Sequence, residues 1–348
     1  MTESEEGRQQ MKKQKMMKLC LALVMLLGAC TKQDSHTENT PEPSPSPQTQ
    51  ETAEPAASVI PENTPEAEPE PSEETEETDT ISLEEYRRDY EPKAGTDLFG
   101  VCEVPLSDEE RQIYGWLYLP YEDKESYPLV ILCHGFQSGF YDLADQAGKY
   151  VDAGMAAYVF DFCGGSTYCK SSGDILHMSV RTELDDLNLV LDELRKFEFL
   201  DKNNTFLLGE SQGGLVAAML AAQRPQDIAG MVLLYPAFVI PDMARETYTD
   251  EQHLPEVPYA FNVPVGWPYY QDVFDMDVWE ETRGYEGPVL MIHGSADTIV
   301  PISYSEQALD IYPEGELRVM EGAGHGFEGE QQEEVYRMTV EFVQEHVK

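Results

Sequence analysis

Basic residues are scarce in this 348-residue sequence: 23 Lys and Arg stand against 66 Asp and Glu, a formal net charge of −43. A chain this acidic repels nucleic-acid phosphates and anionic lipid headgroups, so neither is expected as a partner. Cysteine is sparse too, six in all, and there is no C-x-x-C pair or His/Cys cluster with metal-ligand spacing. That excludes the common zinc and dithiol-redox motifs, and no metal or cofactor is implied. Long apolar runs are also lacking. The one at residues 19–27 is too short to span a bilayer comfortably.

What surrounds that run is informative. Lys12, Lys13, Lys15 and Lys18 precede it and Gly28-Ala-Cys30 follow it, which are the parts of an export signal. Leu27-Gly-Ala-Cys30 resembles the bacterial lipobox, and the resemblance implies that Cys30 is lipidated. The expected location is then extracytoplasmic, tethered to the cell membrane. A plain cleaved signal peptide and secretion is the alternative. Because Glu3, Glu5 and Glu6 are unusual ahead of a basic region, Met11 or Met16 is an alternative start. Residues 31–80 are rich in Pro, Glu, Thr and Ser, with one basic residue against 14 acidic ones. Such a segment buries too little apolar surface to offset its ordering entropy and is expected to be a disordered, extended tether. Residues 81–348 keep 17 basic and 49 acidic residues, a balance of −32, and suit one large α/β domain with a single core.

Within that domain residues 81–90 read as a lead-in helix, and 98–104 and 112–119 as strands of an edge hairpin around Ser107-Asp-Glu-Glu110. Residues 129–133 and 156–160 are continuous apolar runs, expected for strands covered on both faces. A helix is expected near 141–153. Residues 179–197 carry Leu184, Leu187, Val190, Leu191 and Leu194, the stripe of an amphipathic helix. Strands at 205–210, 231–235, 288–293 and 317–320 alternate with helices at 212–222, 302–311 and 331–347. Alternation of this kind predicts a mostly parallel sheet with helices on both faces. It lapses over residues 236–285, rich in Pro, Tyr, Asp and Trp, which read as an insertion after the sixth strand, above the carboxyl ends of the sheet. Of the domain cysteines, Cys133 is expected to be a buried thiol, and Cys163 and Cys169 are near enough in sequence to pair in an oxidising compartment.

The chain is organised around Gly209-Glu-Ser-Gln-Gly213, a G-x-S-x-G corner with a strand before it and a helix after it. A serine forced onto so sharp a turn needs neighbours without side chains, and the turn lifts its hydroxyl clear of the sheet. A serine nucleophile needs a base, and the base needs an anion to fix its tautomer. His293-Gly-Ser-Ala-Asp297 supplies an acid after a strand, and Gly322-Ala-Gly-His325-Gly a histidine on a glycine-rich loop. The order Ser211, Asp297, His325 matches the strand–loop logic of such sites. Asp242 and Asp275 are weaker acids for the role. His293 reads as a structural hydrogen bonder, His134 as shaping its loop, and His177 and His253 lack an orienting carboxylate. Topology offers two oxyanion donors, the backbone N–H groups of Phe136 and Gln212.

On these residues the chain from about position 98 onward resembles the α/β-hydrolase superfamily, and within it bacterial cinnamoyl (feruloyl) esterases. The carrying motifs are His134-Gly135-Phe136, Asp161-Phe-Cys-Gly-Gly-Ser166, the serine corner, His293-Gly-Ser-Ala-Asp297 with Val300-Pro301, and Gly324-His325-Gly-Phe327. The resemblance implies a serine carboxylic-ester hydrolase acting on a small-molecule ester, with the insertion as a lid over an aromatic acyl pocket. It further implies that Asp242 meets a substrate phenol hydroxyl and that Trp267 walls the pocket, with packing of the lid as the equal alternative for both. Near Gly164-Gly165-Ser166 the histidine common in that family is missing. Two other readings stand beside it. A serine peptidase of the prolyl-oligopeptidase kind shares fold and triad order, although the residues ahead of position 98 cannot build the propeller such enzymes usually carry. A surface-tethered binding protein that keeps the fold without catalysis is the other. Oligomeric state is not legible in the sequence.

Overall fold

The computed structural model describes residues 80–90, 100–122, 124–248 and 255–348. The expected export signal, Cys30 and residues 31–79 of the expected tether lie outside them. Helix α1 (Leu83–Asp89) starts at Ser82, whose Oγ accepts from the Glu85 N–H while the Glu85 carboxylate accepts from the Ser82 N–H. Strands β1 (Gly100–Glu103), β2 (Leu106–Ser107), β3 (Gln112–Ile113), β4 (Gly115–Leu119) and β5 (Tyr127–Cys133) follow. Helix α2 (Ala144–Asp152), β6 (Ala156–Phe160), α3 (Val180–Leu194), β7 (Leu200–Glu210), α4 (Gln212–Gln223) and β8 (Gly230–Leu234) continue the alternation. The insertion contains α5 (Ile240–Thr247), β9 (Tyr259–Ala260), β10 (Val263–Pro264), α6 (Pro268–Phe274) and α7 (Val278–Thr282). The chain then returns through β11 (Val289–Gly294), α8 (Ser303–Ala308), β12 (Gly315–Met320) and α9 (Glu330–His346).

Eight strands form the main sheet in the order β1-β4-β6-β5-β7-β8-β11-β12. β1 and β4 pair antiparallel, β4 joins β6 antiparallel, and every pairing from β6 to β12 is parallel. β8 is the sixth strand of this sheet in chain order, so the insertion lies where the sequence predicts. The parallel strands β6 and β8 are buried at every position, because helices cover both sides. Leu129 and Ile131 face an apolar core shared with α3 and α4, whereas Val130 and Leu132 face one shared with α2 and α9. The stripe of α3 is fully buried at Leu187, Val190, Leu191 and Leu194. Burying each such side chain contributes about 1.5–3 kcal/mol, which fixes α3 firmly against α4.

The structure departs from the sequence reading at the sheet edge. The strand predicted at 112–119 is broken at Tyr114, whose N–H turns to Ser171 Oγ at 2.8 Å. Its first half pairs with β2 in a separate ribbon, and only β4 enters the main sheet. Gly115 at the break has no room for a side chain, since a Cβ there would overlap the Tyr158 ring. The helix predicted from 141 starts only at Ala144, after a 3-10 turn at Phe140–Leu143. Cys102, Cys133, Cys163 and Cys169 are all free thiols, so Cys163 and Cys169 are not paired in this structure.

Candidate active site

Ser211 occupies the corner between β7 and α4 with φ 51° and ψ −115°, backbone that an L-residue adopts only under constraint. The constraint is the close approach of its neighbours. A Cβ on Gly209 would run into the Gly213 carbonyl, and one on Gly213 into the carbonyls of Cys133 and His134. Strand and helix therefore meet only because both positions are glycine. His325 comes from the loop after β12, and its Nε2 lies 2.9 Å from Ser211 Oγ. Its Nδ1 is 2.7 Å from Asp297 Oδ2, on the loop after β11. A carboxylate only accepts, so Nδ1 carries the proton and Nε2 is left to accept from the serine hydroxyl.

Asp297 is itself held. Its Oδ1 accepts from the N–H groups of Ile299 (2.8 Å) and Val300 (3.0 Å), and its side chain is fully buried. His293 stands beside it, Nε2 being 3.3 Å from Oδ2. That Nε2 donates to the Val300 carbonyl at 2.9 Å, while Nδ1 accepts from Ser305 Oγ at 2.8 Å. Burial lowers the His293 pKa below the usual histidine value, which keeps this imidazole neutral. His134 plays the part read for it in the sequence. Its Nδ1 donates to the Gly135 carbonyl and its Nε2 accepts from the Phe162 N–H, tying the loop after β5 to the loop after β6.

Phe136 and Gln212 border the same cavity as Ser211 and His325. Gly135 brings the Phe136 loop close, since a Cβ there would be 3.2 Å from Ser211 Cβ. Gln137, with φ 60°, turns the loop away, and Tyr168 braces it by donating to the Gln137 carbonyl. The cavity measures about 620 Å³ and is walled by insertion residues such as Val239, Ile240, Met243, Tyr269 and Val273. Among the described residues lining it there is no Asp, Glu, Lys or Arg.

Two expectations are corrected. Asp242 is not among the lining residues. Its carboxylate accepts from the Tyr304 hydroxyl (2.5 Å), which latches α5 to α8, and from Arg245 on its own helix (2.7 Å), and both lower its pKa. Trp267 does not line the cavity either. It packs against Tyr248 at 5.3 Å within the insertion. Tyr269, two residues on in Val265-Gly-Trp-Pro-Tyr-Tyr270, does reach the site. Its hydroxyl donates to Gln212 Oε1 at 3.0 Å. Tyr235 was also missed. With φ 39° it turns its ring onto His325, centroids 4.6 Å apart. Its position directly after a buried strand, opposite the serine corner, was the available signal.

A family model described as the prolyl oligopeptidase family matches residues 144–348, more than half of the chain and all three of Ser211, Asp297 and His325. The chain belongs to the prolyl oligopeptidase family. This family member is 26% identical over 236 residues to an uncharacterized protein of Mycobacterium tuberculosis, covering 67% of this chain and 75% of the relative. It is 24% identical over 265 residues to a monoacylglycerol lipase of Rattus norvegicus, covering 62% and 75%. Among solved structures, Est1E from Butyrivibrio proteoclasticus with ferulic acid bound aligns with a TM-score of 0.64 at 24% identity, covering 70% of this chain and 98% of that one. The likeness to Est1E is one of fold. The α/β-hydrolase architecture read from the sequence is the one observed, and the chain is a serine hydrolase.

Proposed function

We propose that the chain is a serine carboxylic-ester hydrolase working through an acyl-enzyme, on small aromatic esters of the cinnamoyl or feruloyl type or on short-chain esters. The observation that carries this reading is the hydrogen-bonded series Ser211–His325–Asp297 opening onto a cavity with no Asp, Glu, Lys or Arg among its described lining residues. His325 Nε2 takes the Ser211 proton as Oγ attacks the acyl carbonyl, and Asp297 stabilises the resulting imidazolium. The N–H groups of Phe136 and Gln212 receive the oxyanion, each such donor contributing about 3–4 kcal/mol in the transition state. The alcohol leaves with the proton held on Nε2. A water activated by the same imidazole then releases the acid. The ferulic acid held by Est1E and the lipase and esterase names of relatives support the ester reading.

Family membership favours a second reading, a serine peptidase. The lack of charge among the described lining residues argues for the ester, because none of them would pair with a peptide α-ammonium group. Ser211→Ala is expected to lower kcat on p-nitrophenyl acetate by on the order of 10⁴-fold or more. Wild-type turnover by that variant would remove Ser211 as the nucleophile, and absence of fluorophosphonate labelling at Ser211 in the wild type would leave a non-catalytic binding role. Methyl ferulate, methyl p-coumarate and short-chain aliphatic esters assayed beside aminoacyl naphthylamides separate esterase from peptidase. We also propose attachment to the cell membrane through a lipid on Cys30, supported by the Leu27-Gly-Ala-Cys30 motif.

A further inference from the structure

The side chain of Gln212, the residue after the nucleophile, is held from two sides. Its Nε2 donates to Glu183 Oε1 of α3 at 2.8 Å, and its Oε1 accepts from the Tyr269 hydroxyl of α6 at 3.0 Å. The Tyr269 ring also packs against Phe136 with centroids 5.4 Å apart. A single insertion residue thus touches both residues read as oxyanion donors. Glu183 is 1% exposed and sits on the buried stripe of α3, where an apolar residue would satisfy the core. Such a residue would leave the Gln212 amide buried without its acceptor, a loss that buried polar groups rarely sustain.

We propose that Glu183 and Tyr269 are positioning residues that clamp the Gln212 amide from opposite sides and so hold the Gln212 backbone N–H at the oxyanion. The proposal rests on the reading of Ser211 as nucleophile. The clamp acts at the first residue of α4, directly after the strained Ser211 peptide, where tilting one peptide plane would misdirect the donor.

Glu183 works in this clamp as a neutral carboxylic acid. The groups facing it are Asp186 one turn along α3, Cys133 at the end of β5, Tyr269 of α6 and Gln212 of α4. None is a cation. Arg111 reaches Asp186 at 4.0 Å. Burial, followed by the Asp186 charge, pushes the Glu183 carboxyl up to about 8, against a stabilising hydrogen bond from Gln212. Above that pH a negative charge lies beneath the site where the oxyanion forms, and kcat falls.

The test uses full-length protein and p-nitrophenyl acetate. Glu183→Ala is expected to lower kcat about tenfold or more with KM changed less than about threefold, since only transition-state interactions are lost. Tyr269→Phe, which keeps the ring and loses the hydroxyl, is expected to lower kcat severalfold. Glu183→Gln retains an acceptor for Gln212 and cannot ionise, so it is expected to restore kcat near pH 7 and abolish the decline above pH 8. Wild-type kcat in both Glu183→Ala and Tyr269→Phe, or a Glu183→Gln pH profile that superimposes on the wild type, overturns the clamp. The Glu183→Gln profile decides the matter even if the alanine variant fails to fold. Fluorophosphonate labelling of Ser211 in the wild type separates the two failures. With labelling intact only the clamp falls, and without it the nucleophile reading falls and the clamp with it.

Discussion

Glu183 lies in the core beneath Ser211 with its Oε2 lacking a hydrogen-bond partner among the described residues, so the same carboxyl that fixes Gln212 weakens the fold at high pH. Its folded pKa is about 8 against 4.5 for a free glutamate. Between those values the unfolded chain releases the proton and the folded chain keeps it. Stability from this group is therefore full below the unfolded value and is lost as pH rises through the folded one, at most about 1.4 kcal/mol per pH unit. Glu183→Gln has no proton to lose. Its melting temperature is expected to exceed the wild type by a margin that widens from pH 5 to pH 9. Melts at pH 5, 7 and 9 check this, and a constant margin would refute it. Such a residue is visible in the sequence, because Glu183 falls four before Leu187 and seven before Val190, on the apolar face of α3. Ser211, Asp297 and His325 were legible for a different reason. Each sits in a short glycine-rich corner whose spacing only a tight strand–loop turn requires. Asp242 was misread because a carboxylate in the insertion looks the same in sequence whether it faces a substrate or, as observed, Arg245 and Tyr304.

Elements with a strong period were legible and the insertion was not. Helix α3 falls within the predicted 179–197 because its buried stripe repeats over four turns. The described part of the insertion has helices of eight, seven and five residues, too short for a period to emerge. They pack on one another, on α3 and on α4, with Ser179–Asp272 and Arg181–Glu281 as polar ties to α3, rather than against the sheet. The β9–β10 ribbon is harder still to read, since its two-residue turn is Phe261-Asn262, with φ 49° and 64°. That geometry ordinarily draws Asn-Gly, and a phenylalanine there is strained. The strain buys a position: Phe261 is 53% exposed at the cavity edge, its ring 6.0 Å from Phe136. Phe261→Ala keeps the same backbone constraint and removes one wall of the mouth. KM for methyl ferulate is expected to rise about tenfold, the value of one aromatic contact. The kcat for p-nitrophenyl acetate is expected to stay within about twofold. Equal KM for methyl ferulate in the two proteins would remove Phe261 from substrate contact.

At the scale of the whole molecule, charge and chemistry are separated. The cavity has no Asp, Glu, Lys or Arg among its described lining residues, while residues 81–348 carry 49 acidic and 17 basic side chains. A surface of that sign is repelled by anionic lipid, and the repulsion reaches about 10 Å at 0.1 M salt. Residues 31–80 add 14 acidic residues against one basic. Electrostatics therefore opposes membrane attachment along the whole of this sequence after Cys30, and no helix among the described residues is long and apolar enough to cross a bilayer. Retention on a membrane would have to come from apolar anchoring ahead of residue 31, which is what the proposed lipid on Cys30 supplies. The wild-type protein is then expected in the membrane fraction and to stay there through a wash in about 1 M salt, which strips proteins held by charge. Cys30→Ala is expected to move it to the soluble fraction with esterase activity per molecule unchanged, since Ser211, Asp297 and His325 are untouched. A Cys30→Ala protein that remained wholly membrane-bound would rule the lipid anchor out.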